Sequence, residues 1–319
     1  MRSRIAPTPS GYLHIGNAFS FVLTWLLVRK HGGSLHLRID DLDAQRKRPE
    51  YVQDIFDTLD WLQLDYDTGA RSVEEFEDVY AQRHRLTAYH AALKELAAQP
   101  NTVFACACSR TQILRRSPSG RYPGTCQHKQ LPLDTPETAL RLIVEDTTAI
   151  SLSSAAHTHT IGLGQIMGSF IIRRRDGVPS YHLASVVDDC TDGITHIVRG
   201  VDLLPSTAAQ LLLAERLGGR IVQAFSAVRF LHHPLLLDTA GRKLSKSQGS
   251  TSLKQWRSEG AVPNMVYQIV ALEIGLQRFS AQHRWTLDSL LEAFNPDIFP
   301  LDSPVHSHCP VVSESCNNI

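Results

Sequence analysis

Apolar positions along this chain recur with two periods, and the alternation between them outlines the fold. Residues 2–6 read as a short strand running into a Pro/Gly turn, and 16–30 as a helix ended by Gly32-Gly33. Leu35 to Asp40 alternates apolar and polar positions, which predicts a second strand. Helical spacing returns over 49–63, with Ile55, Leu59 and Leu62 on one face. It returns again over 75–98, with Leu86, Tyr89, Leu93 and Leu96. Strands alternating with helices imply a parallel, doubly wound α/β sheet of the Rossmann-like type.

The character changes from about 100 to 180, where cysteines, prolines, short apolar runs and the turn Asp176-Gly177 predominate. This stretch reads as an insertion between two halves of the sheet. A helix is expected at 181–190, a strand at Ile194–Val198 and a helix at 206–217 ended by Gly218-Gly219. Leu235 to Leu237 and Leu244 flank the turn Asp238-Thr239-Ala240-Gly241, and helical patterns follow at 252–259, 263–276 and 286–294. The expected segments are 1–100 and 181–250 for the two sheet halves, with 101–180 inserted between them. A helical region at 251–300 and a frayed tail at 301–319 complete the division.

Composition narrows the class. The chain has 319 residues, 43% hydrophobic and 20% charged, with zero formal net charge, so a nucleic-acid partner would need a local basic patch. Arg173-Arg174-Arg175 and Arg115-Arg116 with Arg121 are the candidates. The longest apolar run, Phe19 to Val28, is half the length of a membrane span and reads as a buried helix. Pro7, Pro9 and Gly11 ahead of it argue against an export signal, and six cysteines without one indicate a reducing compartment. A cytoplasmic protein, monomeric and away from membranes, is the expectation.

Two remote motifs carry the chemistry. Ala6-Pro7-Thr8-Pro9-Ser10-Gly11-Tyr12-Leu13-His14-Ile15-Gly16-Asn17 places a tight turn before a helix start, whose N–H groups and dipole suit an anion. Lys243-Leu244-Ser245-Lys246-Ser247 offers two cations beside Gly241 and Gly249. Together they could grip one nucleoside triphosphate from two sides. A third cluster, Cys106-Ala107-Cys108 with Cys126, supplies three thiols for Zn²⁺ if a fourth ligand closes the tetrahedron, Tyr122 or His128. Reduced, unliganded cysteines are the alternative. Cys190 reads as a core residue, and Asp41 and Asp43 as local caps or ion pairs with Arg46 or Arg48.

In this order, the two motifs resemble the HIGH and KMSKS signatures of class I aminoacyl-tRNA synthetases, and the details resemble the glutamyl branch. The resemblance covers roughly residues 2–300. It implies that His14, Gly16 and Asn17 face ATP, and that Lys243, Ser245 and Lys246 hold its phosphates, with Mg²⁺ arriving on the ATP. His14, Lys243 and Lys246 would be catalytic. It implies that Arg4 and Arg199 grip substrate carboxylates, Asp40 and Tyr181 hold the ammonium of L-glutamate, and Thr8 and Ser10 add hydrogen bonds. Matching segments are Arg38-Ile39-Asp40-Asp41, Tyr181-His182-Leu183-Ala184 and Val198-Arg199-Gly200. The family pattern C-x-C…Y-x₃-C implies one structural zinc on Cys106, Cys108, Tyr122 and Cys126. Two departures stand out: Asn17 replaces the final His of the first signature, and Asp40 replaces the usual Glu. About seventy residues follow Lys246. The resemblance therefore implies the short branch, in which glutamate is activated without tRNA and passed to queuosine in the anticodon loop of tRNA(Asp). A truncated glutamyl-tRNA synthetase charging tRNA(Glu) and a non-catalytic RNA- or nucleotide-binding module stay open.

Overall fold

The structure is a computed structural model that describes residues 1–154, 158–236, 252–276, 284–299 and 302–304. Its strands are β1 Arg2–Ile5, β2 Ser34–Leu37, β3 Val103–Cys106, β4 Ala139–Leu142, β5 Ile150–Ser153, β6 Thr158–Ile161, β7 Ile171–Arg173, β8 His196–Gly200, β9 Arg229–His233 and β10 Ser303–Pro304. Its helices are α1 Ile15–Lys30, α2 Pro49–Trp61, α3 Val73–Glu75, α4 Leu86–Ala98, α5 Arg110–Arg116, α6 Leu163–Ile166, α7 Tyr181–Thr191, α8 Leu204–Leu217, α9 Gly219–Ser226, α10 Leu253–Ser258, α11 Asn264–Glu273 and α12 Leu287–Ala293. Contacts divide the chain into two compact units. One holds residues 1–85, 194–202 and 230–300, the other 86–193, 203–229 and 301–319.

In the first unit β1 and β2 pair in parallel, Arg2 opposite Ser34 through Ile5 opposite Leu37. β8 lies beside β1, where Thr195 N–H donates to the Arg2 carbonyl at 2.9 Å, and β9 pairs with β8. α1 is the core helix. It is apolar all round, as a helix buried on every side must be, and packs against β1, β2, β8, α11 and α12. Val22, Leu23, Leu26 and Val28 are fully enclosed, each contributing about 1.5–3 kcal/mol relative to exposure. Among the described residues no helix is long and apolar enough to cross a membrane.

The second unit combines helices α4, α7, α8 and α9 with antiparallel sheets β3-β4-β7 and β10-β5-β6. Fully buried Tyr89 on α4 donates its hydroxyl to Asp188 on α7, 2.8 and 2.9 Å from the two carboxylate oxygens.

Three local expectations differ from the structure. The helix expected over 75–98 is broken. Backbone bonding widens at Phe76–Tyr80, where Ala81 N–H reaches the Phe76 carbonyl, and α4 starts only at Leu86. The break lets Gln82 N–H donate to Asp41 at 2.8 Å, a long-range bond that helical spacing cannot reveal. A second helix, α9, follows Gly218 directly. Within the expected tail, Ser303 and Pro304 pair with Ser153 and Leu152, because the edge of β5 has backbone groups to satisfy.

Candidate active site

The helix start at His14 is built from its own side chains. His14 takes extended backbone angles and caps α1: its Nδ1 accepts from Gly16 N–H at 3.1 Å. That bond fixes the orientation of the imidazole ring at the start of the helix. Asn17 completes the arrangement, its Oδ1 accepting from His14 N–H at 3.0 Å. This reciprocal cap gives a structural reason for asparagine at the fourth motif position. Its oxygen holds the turn while its NH₂ group keeps two donors. Gly16 N–H is occupied by the imidazole, and Asn17 N–H bonds the His14 carbonyl at 2.9 Å. Ala18 N–H bonds the same His14 carbonyl at 3.2 Å, which closes the first turn of α1.

Around it, the first unit places the expected glutamate residues at strand ends. Arg4 is buried on β1 and Arg199 on β8, where its guanidinium lies 5.4 Å from the Phe230 ring centroid. Gly200 follows Arg199, and a Cβ there would lie 2.5 Å from the Asp202 carboxylate and 3.1 Å from Leu235 Cδ2. Thr8 and Ser10 are exposed in the turn. Asp40 N–H bonds the Pro7 carbonyl at 2.9 Å, which ties the second motif segment to the turn. The Asp40 carboxylate receives Arg38 Nε at 2.7 Å, and both side chains are buried. Asp41 is held by Lys47 at 3.0 Å and by Gln82 N–H, so its partner is neither Arg46 nor Arg48. Lys47 also bridges to Glu77. Burial opposes the Lys47 charge, but its hydrogen bonds to Glu77 and Asp41 raise its pKa overall. Asp43 does pair with Arg46, at 3.5 Å. Lys243, Ser245 and Lys246 lie outside the described residues.

Sequence reasoning did not single out Asp54 and Arg257. Asp54 sits among apolar positions of α2, is almost fully buried, and receives Leu13 N–H at 3.0 Å on one oxygen and Arg257 Nη2 at 2.6 Å on the other. Only a carboxylate interrupting an apolar helix face hinted at it, and such residues are usually surface charges.

In the second unit, Tyr181 opens α7 behind the Ser180 cap and is exposed. Cys106, Cys108 and Cys126 bring their sulfur atoms within 4.8 Å of one another. Cys108 and Cys126 sulfurs are 3.5 Å apart. Buried Tyr122 places its Oη 3.4 Å from Cys106 Sγ, where it accepts Cys126 N–H at 2.8 Å. His128 is exposed and is not among the side chains whose ligand atoms meet there. Burial opposes the Cys106 thiolate, yet contacts with Tyr122 and Arg141 hold its pKa below the ordinary thiol range. Burial pushes Cys108 and Tyr122 the other way. Three thiols and a phenol in one small cluster are a donor set that fits a closed tetrahedral zinc. Cys190 is half-buried, its pKa pushed up to about 12 by burial and Asp189, as for an inert thiol. Cys309 and Cys316 lie outside the described residues.

Comparisons with known proteins place the chain in a family. Residues 1–298 match the family described as tRNA synthetases class I (E and Q), catalytic domain. The chain is 38% identical over 289 residues to a Glutamyl-Q tRNA(Asp) synthetase of Symbiobacterium thermophilum, covering 86% of each chain. It is 35% identical to one of Nitratidesulfovibrio vulgaris, covering 86% of this chain and 87% of that one. A Glutamate–tRNA ligase 2 of Syntrophus aciditrophicus is 34% identical, with 93% of this chain aligned to 62% of the ligase. Among solved structures, a glutamate-tRNA synthetase from Elizabethkingia anophelis superposes with a TM-score of 0.73 at 23% identity, over 92% of this chain and 66% of that one. A helix start capped by His14 and Asn17, arginines at the flanking strand ends and the family match over nearly the whole chain lead to one conclusion: this protein is a ligase of the class I aminoacyl-tRNA synthetases, in the group that serves glutamate and glutamine.

Proposed function

We propose that the protein activates L-glutamate with ATP to glutamyl-adenylate without tRNA, and transfers the glutamyl group to queuosine in the anticodon loop of tRNA(Asp). The observation that supports the first half is the helix start itself, where His14 and Asn17 cap α1 reciprocally directly after the Pro/Gly turn. In adenylate formation the glutamate carboxylate attacks the α-phosphorus and pyrophosphate leaves, so the protein must position both groups and neutralise growing negative charge. His14 donates to a phosphate oxygen, and Lys243, Ser245 and Lys246 hold the departing pyrophosphate with Mg²⁺. Arg4 and Arg199 bind substrate carboxylates, for which a planar guanidinium is suited. Asp40 and Tyr181 hold the ammonium. Two relatives named for the queuosine reaction, matched over most of both chains, support the second half.

Zinc on Cys106, Cys108, Tyr122 and Cys126 would be structural, since four protein ligands leave no place for water or substrate. The RNA partner needs a basic surface. Arg173 points its Nη2 at the Thr138 carbonyl at 3.1 Å, Arg174 pairs with Asp176 at 2.7 Å, and Arg121 pairs with Asp146. Arg115, Arg116 and Lys129 line a concavity of about 390 Å³ with no carboxylate among its lining residues. These three cations are the better candidates for RNA phosphates, and the segment division of the sequence reading is kept as part of this proposal.

The deciding experiment compares transfer of radiolabelled glutamate onto queuosine-containing tRNA(Asp), queuosine-free tRNA(Asp) and tRNA(Glu), beside tRNA-free, glutamate-dependent pyrophosphate exchange. Labelling of the first RNA alone supports the proposal. Labelling of tRNA(Glu) makes the chain a glutamyl-tRNA synthetase, and absence of exchange removes the catalytic reading. Reversing Arg115 and Lys129 to Glu is expected to reduce the salt dependence of RNA binding by about one to two phosphate contacts while exchange continues.

A further inference from the structure

One residue, Leu13, is clamped from both sides immediately before His14. Its amide donates to Asp54 Oδ2 at 3.0 Å, and its carbonyl accepts Leu253 N–H at 2.8 Å. Asp54 Oδ1 in turn receives Arg257 Nη2 at 2.6 Å, and Arg257 Nη1 donates to Thr58 Oγ1 at 2.6 Å, one helical turn along α2. The Asp54 side chain is 1% exposed and that of Arg257 16%. Lys254 adds a bond to the Tyr12 hydroxyl at 2.9 Å, and Tyr12 packs edge-on against Tyr51 of α2. Two consecutive residues, Tyr12 and Leu13, are thus registered against α2 and α10 immediately before His14.

We propose that Asp54 and Arg257 are positioning residues for adenylate formation: their buried ion pair fixes the backbone register of Leu13 and thereby aims the His14 imidazole at the phosphate it serves. The inference rests on the glutamate-activation reading above. The physical reason is specific. Leu13 N–H is buried with Leu13 and must have an acceptor, and the Asp54 carboxylate supplies one only while Arg257 balances its charge. With the pair removed, the turn before His14 is free to shift, and a displacement of about 1 Å at a reacting group can cost on the order of 10²-fold in rate. Arg257 forks across Asp54 and Thr58, so lysine, with a single ammonium, cannot reproduce both bonds.

The test is pyrophosphate exchange without tRNA in Asp54→Asn, Arg257→Lys, Arg257→Gln and the Asp54→Asn/Arg257→Gln double variant. Rates are normalised to folded protein by circular dichroism. Each single variant is expected to lose about 10- to 100-fold in kcat, with the KM for glutamate moved by less than about threefold, since Arg4 and Arg199 are untouched. The double variant is expected to lose little more than either single one, because both act through one bond. Normalised kcat within about twofold of the parent in Asp54→Asn and Arg257→Gln overturns the proposal, as does a loss that appears in the glutamate KM. An inactive parent overturns the glutamate-activation reading itself, an outcome distinct from an active parent with indifferent variants.

Discussion

The His14 helix start and the cysteine cluster are both short motifs visible in the sequence, yet they are held in shape by different physics. The helix start rests on a large core. α1 is enclosed on all sides, and the turn before it bonds the Asp54 carboxylate of α2 and the Leu253 amide of α10, with Asp54 paired to Arg257. The cysteine cluster has little else beneath it. Phe104, Ile113 and Tyr122 are its main apolar support, and Cys106 and Cys126 belong to the same small core. Where a core is large, function can be added as one or two side chains on a rigid element. Where it is small, the candidate donors are themselves part of the core, and the zinc proposed for them would add stability that so small a core does not supply.

This contrast can be broken by experiment. The largest stability effect is expected in the cysteine module. Cys126→Ala should abolish zinc, from one per chain to near none by metal analysis, and cost on the order of several kcal/mol in thermal unfolding. A variant that melts like the parent would show that the thiols are not its staple. In the helix region, Leu23→Ala should cost about 3 kcal/mol through a cavity in α1 while zinc content stays at the parental value. Ser109 caps α5 with a reciprocal bond to Gln112, and Ser109→Ala should cost about 1 kcal/mol, confined to the module and measurable by hydrogen exchange.

The smallest effect is a pH slope. His233 is buried edge-on against Phe19, and burial lowers its pKa despite the bond from its Nδ1 to the Pro234 carbonyl at 2.8 Å. Folding therefore favours the neutral ring. Below about pH 6.5 the unfolded chain binds more protons than the folded one, and stability falls as the solution is acidified through that range. His233→Gln should flatten this slope in denaturant unfolding at pH 7 and pH 5.5. An unchanged slope would assign it to other groups.

Local pattern was enough for much of this protein. Sequence pattern located α1, α2, α7, α8, the second half of the 75–98 helix as α4, and three strands of the first unit, β1, β2 and β8, because burial imposes the helical and strand periods directly on the chain. Motif spacing also pointed to His14 at a helix start and to three cysteines that meet. What remained hidden was decided by partners far away in sequence. Asp54 became a clamp only because Leu13 and Arg257, 41 and 203 positions away, converge on it. The expected helix over 75–98 broke because Gln82 had an acceptor in Asp41. Ser303 and Pro304 became a strand because β5 offered an edge. Periodicity records what a residue does with its neighbours along the chain, whereas a buried polar atom is settled by whichever distant group satisfies it, and only the folded arrangement selects that group.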